Sequence, residues 1–432
     1  MKKRNKGRQL LSIAVVTTLF VGSTSSVVIA AEPKVGSSCT KVGAFYDTPN
    51  KRYVCNTEGK KKVWRVWYPT TQATPASKPS ASPKTTSKAP IPITLPVAQG
   101  EITFANILDN VEKVAKVAFD SAQKTYKANP TPVGIKSTIW VGPNTVPVGS
   151  MSEEDRIVKA MKLWSGFKQP KTMGLFFFNT KDEPMAEVAY DKWRSDNKIT
   201  SGQPASMMRN DCLSNNGPSA PTASTEPLKD CSGANAGVMD SIGTGVGWFG
   251  IPTKAGTRSD TYRLGAIEIH EFTHMVQTSQ FVGTSESPGQ RMQAISPCWL
   301  QEGQAHFAGK TVASNTYSEY LQQRNGEALE RRAENNLRGP RDLAGVSAYL
   351  SLETLATCQK TYSWGYASGM LAVEALSAIG GAQSTMALYA LEANGHTFSE
   401  SFKLVYGISW EQVQPILAKV IVKDYLVASM KS

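Results

Sequence analysis

The stretch Leu264-Gly265-Ala266-Ile267-Glu268-Ile269-His270-Glu271-Phe272-Thr273-His274-Met275-Val276-Gln277-Thr278-Ser279-Gln280 carries an H-E-x-x-H run at 270–274. No proline interrupts it, and Ile269, Phe272 and Val276 form a helical apolar stripe. On a helix, His270 and His274 stand one turn apart on one face, so both imidazoles can reach one ion. Glu271 projects about 100° around from His270, beside the metal rather than onto it, the place for a base acting on a metal-bound water. The plainer alternative is two packed histidines that happen to fall four apart. The chain has only four His, and a shuffled copy would contain the run roughly once in seven hundred.

A third ligand decides between these readings. Downstream stands Cys298-Trp299-Leu300-Gln301-Glu302-Gly303-Gln304-Ala305-His306-Phe307. Here the chain resembles the gluzincin zinc metallopeptidases, whose second active-site helix carries a W-L-x-E-G-x-A-type signature. The resemblance implies Glu302 as third ligand, 28 positions after His274; Glu286 and Glu319 also follow the run but stand in no such frame. Two imidazoles and one carboxylate with a fourth position for water is the open set of a catalytic Zn²⁺. One departure stands out. Gluzincins commonly place an acidic residue four positions after the glutamate ligand to hydrogen-bond a ligand histidine, and this chain has His306 there. His306 reads equally as a packed helix residue or as a replacement support.

The same resemblance assigns a tyrosine. Tyr362-Ser363-Trp364-Gly365 stands in the Y-x-x-G frame of aminopeptidase-type gluzincins, where the hydroxyl steadies the oxyanion of the tetrahedral intermediate. Tyr362 is the candidate and Tyr366 the second; a packed core tyrosine is the alternative. The G-x-M-E-N signature of one gluzincin branch is absent before the metal helix, which leans toward an endopeptidase or an unusual substrate.

Length and composition bound what surrounds these motifs. The chain has 432 residues, 41% hydrophobic and 19% charged, with a net charge of +12, enough for one large globular domain and a smaller one. Lys2, Lys3, Arg4, Lys6 and Arg8, the apolar run from Leu10 to Val21, and Ala30 or Ala31 read as an export signal over residues 1–31. An uncleaved anchor is the alternative; the run is too short to span a bilayer. Residues 1–31 carry a net +5 and 32–99 a net +8, leaving −1 for 100–432. A basic segment ahead of a neutral domain argues against nucleic acid and suggests either attraction to an anionic cell-envelope polymer or a merely soluble linker.

Six cysteines in an exported chain suggest three disulfides. Fifteen pairings are possible; spacing favours Cys39–Cys55, Cys212–Cys231 and Cys298–Cys358. The last would tie the Glu302 segment to the Tyr362 segment. No C-x-x-C pair offers thiolates to a metal.

In chain order, residues 32–68 read as a small two-cysteine module that resembles those found on secreted actinobacterial proteins. Its strands fall at Tyr53-Val54-Cys55 and Val63 to Trp67, around a turn at Asn56-Thr57-Glu58-Gly59. Residues 69–99, dominated by Thr, Ser, Pro, Ala and Lys, read as an extended linker. Residues 100–432 form the α+β domain. Helices are predicted over 101–127, from Ser152 to Trp164 with Ser152 as N-cap, and from Asp182 to Trp193, with strands at Thr138–Val141 and Met173–Phe178. Residues 196–235 read as a disulfide-stapled loop. Gly243–Ile251 reads as a strand, either an ordinary internal one or the edge that, in the resembled fold, pairs with substrate backbone. Helices follow over 317–337, 366–379, 382–393 and 410–428; His396 reads as a loop residue.

The resemblance thus implies a zincin-like α+β metallopeptidase domain in a secreted or cell-wall-associated protein. His270, His274 and Glu302 would hold Zn²⁺, Glu271 would move the proton, and a peptide or protein would be the substrate. A zinc-holding but inactive binding protein is the competing reading, and Glu271, which metal binding alone does not need, argues against it. A hydrolase of a non-peptide bond is the third.

Overall fold

A computed structural model of the chain describes residues 33–66 with gaps at 35, 43–44, 48–51 and 59–60. It also describes residues 88–430 with gaps at 147–151, 201, 214–229, 232, 254–264, 285–286, 330–338 and 352–360. The predicted export signal and residues 69–87 of the predicted linker lie outside the described residues. The chain divides into two units, Met1–Ser82 and Pro83–Ser432. No helix among the described residues is long and apolar enough to cross a membrane.

The first unit is a three-stranded antiparallel sheet of β1 (Phe45–Asp47), β2 (Arg52–Glu58) and β3 (Lys61–Val66) in that order. Cys39–Cys55 bridges it beside buried Tyr53 and Val63, as a module too small for a full core requires. The turn predicted at 56–59 comes later: Asn56, Thr57 and Glu58 pair with Val63, Lys62 and Lys61 as strand residues.

The second unit is built on a four-stranded sheet of β4 (Lys136–Val141), β5 (Thr172–Phe178), β6 (Ala234–Val238) and β7 (Thr244–Gly250), in the order β4-β5-β7-β6. The first three neighbours run parallel; β6 is antiparallel to β7 and forms one edge. β5 is buried over six of its seven residues, which is why it reads as a continuous apolar run rather than an alternation. Its side chains still divide by the period of two. Phe176 and Phe178 enter a cluster with Tyr190 and Trp193 of α3 (Glu183–Asp196), while Met173, Leu175 and Phe177 enter the main core. β7 is therefore internal, and the reading of Gly243–Ile251 as the edge is corrected. The edge is β6, whose first residues belong to the stretch expected to be loop. Strand order is a tertiary property that local sequence does not encode.

The main core joins α1 (Val111–Ala128), α2 (Glu153–Leu163), α5 (Ala266–Gln280) and the later helices. The predicted helix over 101–127 begins only at Val111, behind a 3-10 turn at Ile107–Asn110. α2 starts where its cap requires, with Ser152 Oγ accepting from the Asp155 N–H. Within 196–235 a short helix α4 (Met208–Leu213) carries Cys212 of the Cys212–Cys231 disulfide, both cysteines being buried.

Beyond α5 come α6 (Pro288–Ile295), α7 (Cys298–Ala313), α8 (Tyr317–Leu329), α9 (Leu343–Tyr349), α10 (Ser368–Gly380), α11 (Ser384–Ala393), α12 (Phe398–Tyr406) and α13 (Trp410–Met430). The helix predicted from Tyr366 starts at Ser368, because 362–366 is a 3-10 turn. The stretch 88–100 lies against this helical half: Ala89 and Asn394 exchange two hydrogen bonds, and the Val97 N–H donates to Val405.

Candidate metal centre

α5 is not the half-buried helix that its apolar stripe predicts. Every residue from Glu268 to Gln280 is buried, between α7 and the edge strand β6. A helix enclosed on all sides must satisfy its polar side chains internally. Trp164 Nε1 donates to Thr273 Oγ1, which donates to Ile269, and Lys168 Nζ reaches the carbonyls of Gln280 and Val282 at the C-terminal end. That last contact also places a cation at the negative pole of the helix.

α7 carries the predicted third ligand into contact with α5. Its Gly303 meets α10 so closely that a Cβ there would lie 2.4 Å from the Gly369 carbonyl. A Cβ at Gly365, in the 3-10 turn, would lie 2.4 Å from Cβ of Glu302. Glycine at these two positions therefore lets α10 and the 362–366 turn close around Glu302.

The three predicted ligands converge. His270 Nε2 lies 3.0 Å from His274 Nε2 and 3.3 Å from Glu302 Oε2, and His274 Nε2 lies 3.4 Å from Glu302 Oε1. All are buried, and their ligating atoms fall within 4.8 Å of one another. Two imidazoles and a carboxylate pointing at one spot, with both Nδ1 atoms turned away, fit a divalent metal ion. Glu271 stands beside the cluster, its Oε1 3.8 Å from His270 Nε2, and its carboxylate accepts the backbone N–H of Ala236 on β6. The base candidate is thus tied to the edge strand.

The backs of the imidazoles are also held. His274 Nδ1 lies 2.8 Å from Gln277 Oε1, and Gln277 Nε2 donates to the Gln301 carbonyl and to Gln304 Oε1, both at 2.9 Å. His270 Nδ1 lies 3.3 Å from Nδ1 of His306, and the Tyr366 ring packs on both imidazoles, at 5.9 and 5.0 Å. His306 is therefore in the site. Gln277, Gln304 and Ala236 were not singled out from sequence. Gln277 was within reach, since residue i+3 from a helical histidine shares its face. Gln304 and Ala236 needed the tertiary arrangement.

The electrostatics follow from burial and proximity. Burial works to raise Glu302, but His274 and His270 beside it hold its carboxyl well below the usual range. For His274, burial pushes down and Glu302 overcomes it, giving a pKa of about 9. Glu271 is pushed up, chiefly by burial, with His270 and His274 opposing and Glu302 adding. Tyr362 and Tyr366 are raised by burial and then by the nearby charge of Glu302, and the Tyr366 hydroxyl lies 3.3 Å from that of Tyr362.

A cleft of about 720 Å³ opens onto this cluster. β6 forms one wall from Ala234 to Val238, α6 contributes Gln290, Met292 and Gln293, and Glu271, His274, Glu302, Tyr362 and Tyr366 line its floor. Tyr362 is 38% exposed and so the more presented of the two tyrosines. The third predicted disulfide is half in view: Cys298 is disulfide-bonded, and Cys358 lies outside the described residues. Compared with known proteins, the chain matches no family model, no curated protein and no solved structure.

Proposed function

We propose that the chain is a zinc-dependent peptidase of gluzincin type, exported from the cell, with His270, His274 and Glu302 as the ligands of Zn²⁺. The observation that carries this reading is the placement of Glu271: a buried carboxylate beside the ligand cluster, on the floor of a cleft whose wall is a sheet edge. A site that only stores metal has no use for it.

When bound, the ion would supply Lewis acidity to a water and to the carbonyl under attack. The chain's own groups do the rest. Glu271 takes the proton from the attacking water and delivers it to the leaving amine; its raised pKa suits a group that must hold a proton between two steps. The N–H of Ala236 fixes its orientation. Tyr362, on the open side of the cleft, donates its hydroxyl to the developing oxyanion.

β6 orients the substrate. The Met239 N–H pairs back to β7, so by alternation the N–H groups of Ala236 and Val238 face outward, and they are taken by Glu271 and Thr278. The outward carbonyls on the same edge remain for an extended peptide backbone. Such a substrate would be held by main chain along the cleft beside His270, His274 and Glu302, with side chains sorted by the α6 wall.

The test is cleavage of a diverse peptide library by the purified protein, read by mass spectrometry, beside Glu271→Gln with zinc content checked in both. The expected result is cutting by the wild type and a loss of about 10²–10⁴-fold in the zinc-loaded variant. A zinc-loaded wild type that cuts nothing sinks the peptidase reading in favour of a metal-holding binding protein.

A further inference from the structure

We propose that His306 is a positioning residue, a neutral hydrogen-bond acceptor that fixes His270 in the tautomer able to bind metal. The inference rests on the zinc site proposed above and concerns how that site is held. His270 turns Nε2 toward His274 and Glu302 and backs its Nδ1 onto Nδ1 of His306 at 3.3 Å. Two ring nitrogens at that distance share one proton. If His270 Nε2 is to offer a lone pair, that proton sits on His270 Nδ1, His306 Nδ1 accepts it, and the proton of His306 sits on its own Nε2.

The other ligand is held by the same device. Gln277 Nε2 donates to the Gln301 carbonyl and to Gln304 Oε1, while Gln304 Nε2 donates to Thr385 Oγ1. This fixes which end of the Gln277 amide faces His274: Oε1 does, at 2.8 Å, so His274 Nδ1 donates and its Nε2 is free. Both imidazoles are therefore backed by uncharged acceptors, one imidazole and one amide. A carboxylate in that position makes a ligand histidine more basic and the metal more tightly held. Neutral acceptors fix the same tautomers without adding negative charge, so this site is oriented for the ion but holds it less tightly.

The experiment is zinc affinity by chelator competition on the full chain and on three variants. His306→Leu fills similar space without an acceptor, His306→Asn puts an amide oxygen where Nδ1 stands, and His306→Asp puts a carboxylate there. The expected order is Asp tighter than wild type, Asn within about threefold of wild type, and Leu weaker by about 10–100-fold. Leu binding as well as wild type overturns the proposal, as does Asn losing as much as Leu, which would make the role one of packing. Should the variants not fold, ¹⁵N shifts of the zinc-loaded wild type decide: His306 Nδ1 is expected unprotonated, and a protonated Nδ1 refutes the assignment. Absence of peptide cleavage leaves these outcomes intact. A wild type that takes up no zinc overturns the metal reading itself.

Discussion

Two of the charge clusters among the described residues of the helical half solve the same problem differently. In one, Arg324 on α8 donates through Nε and Nη2 to Glu374 on α10, both at 2.7 Å, and also pairs with Asp424 on α13, while the Tyr320 hydroxyl bonds Glu374. The cation is part of the chain, and three helices are closed around it. In the other, His270, His274, Glu271 and Glu302 bring two carboxylates and two imidazoles together with no Lys or Arg among the described contacts. Without another cation such a cluster takes up protons, which is what the His274 pKa of about 9 expresses. The first cluster is self-sufficient and so structural. The second has no Lys or Arg of its own among the described residues and could hold a metal ion, and it opens on a cleft.

Breaking the self-sufficient cluster is expected to have the largest effect. Arg324→Met leaves Glu374 buried and Asp424 partly buried beside an apolar chain, and the loss of stability should be about 3–5 kcal/mol. Urea unfolding measures it, and the zinc affinity of the folded variant should be unchanged. A loss below about 1 kcal/mol would mean that the carboxylates simply take up protons, and that the two clusters differ less than their geometry suggests.

The metal cluster should respond to an ion and not to a single charge. Zinc at a hundredfold over its dissociation constant should stabilise the wild type by about 2.7 kcal/mol, read as a shift in thermal unfolding, and His274→Ala should abolish the shift. The sign of the pH effect follows from His274. Its folded pKa is raised to about 9, so near neutrality zinc must displace a proton to bind. Apparent affinity should therefore rise with pH up to about 9 and then level. Calorimetry in buffers of different ionisation enthalpy would register the released proton. Affinity independent of pH between 6 and 8 would contradict the assignment of His274 as ligand.

Much of this site was legible in the sequence because it is written in helical periods. His270, Glu271 and His274 fall within one turn, and the frame around Trp299-Leu300 pointed to Glu302. Gly303 in that frame has a plain physical reason, its contact with the Gly369 carbonyl. Gly303→Ala should cost roughly 1–3 kcal/mol through the helix shift it forces, a smaller effect than removing Arg324. What the sequence concealed was pairing between distant segments. β7 carries the stronger strand signal, yet β6, short and rich in Ala and Gly, is the edge that reaches Glu271. α12 is a helix absent from the sequence expectation, although Thr397-x-x-Glu400 is its capping box, satisfied in the structure. That signal was local and available.

A further buried carboxyl shows yet another way to carry charge, and its expected effect is the most gradual, spread over several pH units. Glu392 on α11 accepts from Ser296 Oγ at 2.7 Å, and burial pushes its pKa to about 8 against the opposing pull of Ser296 and Arg291. Here neither Arg nor metal neutralises the group; it keeps its proton. Because the folded pKa lies above the unfolded 4.5, the folded state binds more protons between those values. Stability from this group should be full below about pH 4.5 and fall as pH rises toward 8, by roughly 1 kcal/mol per pH unit. Glu392→Gln, a permanent stand-in for the protonated acid, should remove that slope while leaving the low-pH stability nearly unchanged. Unfolding measured from pH 5 to 8 in both proteins tests this. Parallel profiles would mean that Glu392 ionises at its ordinary pKa, and that burial alone does not keep this carboxyl protonated.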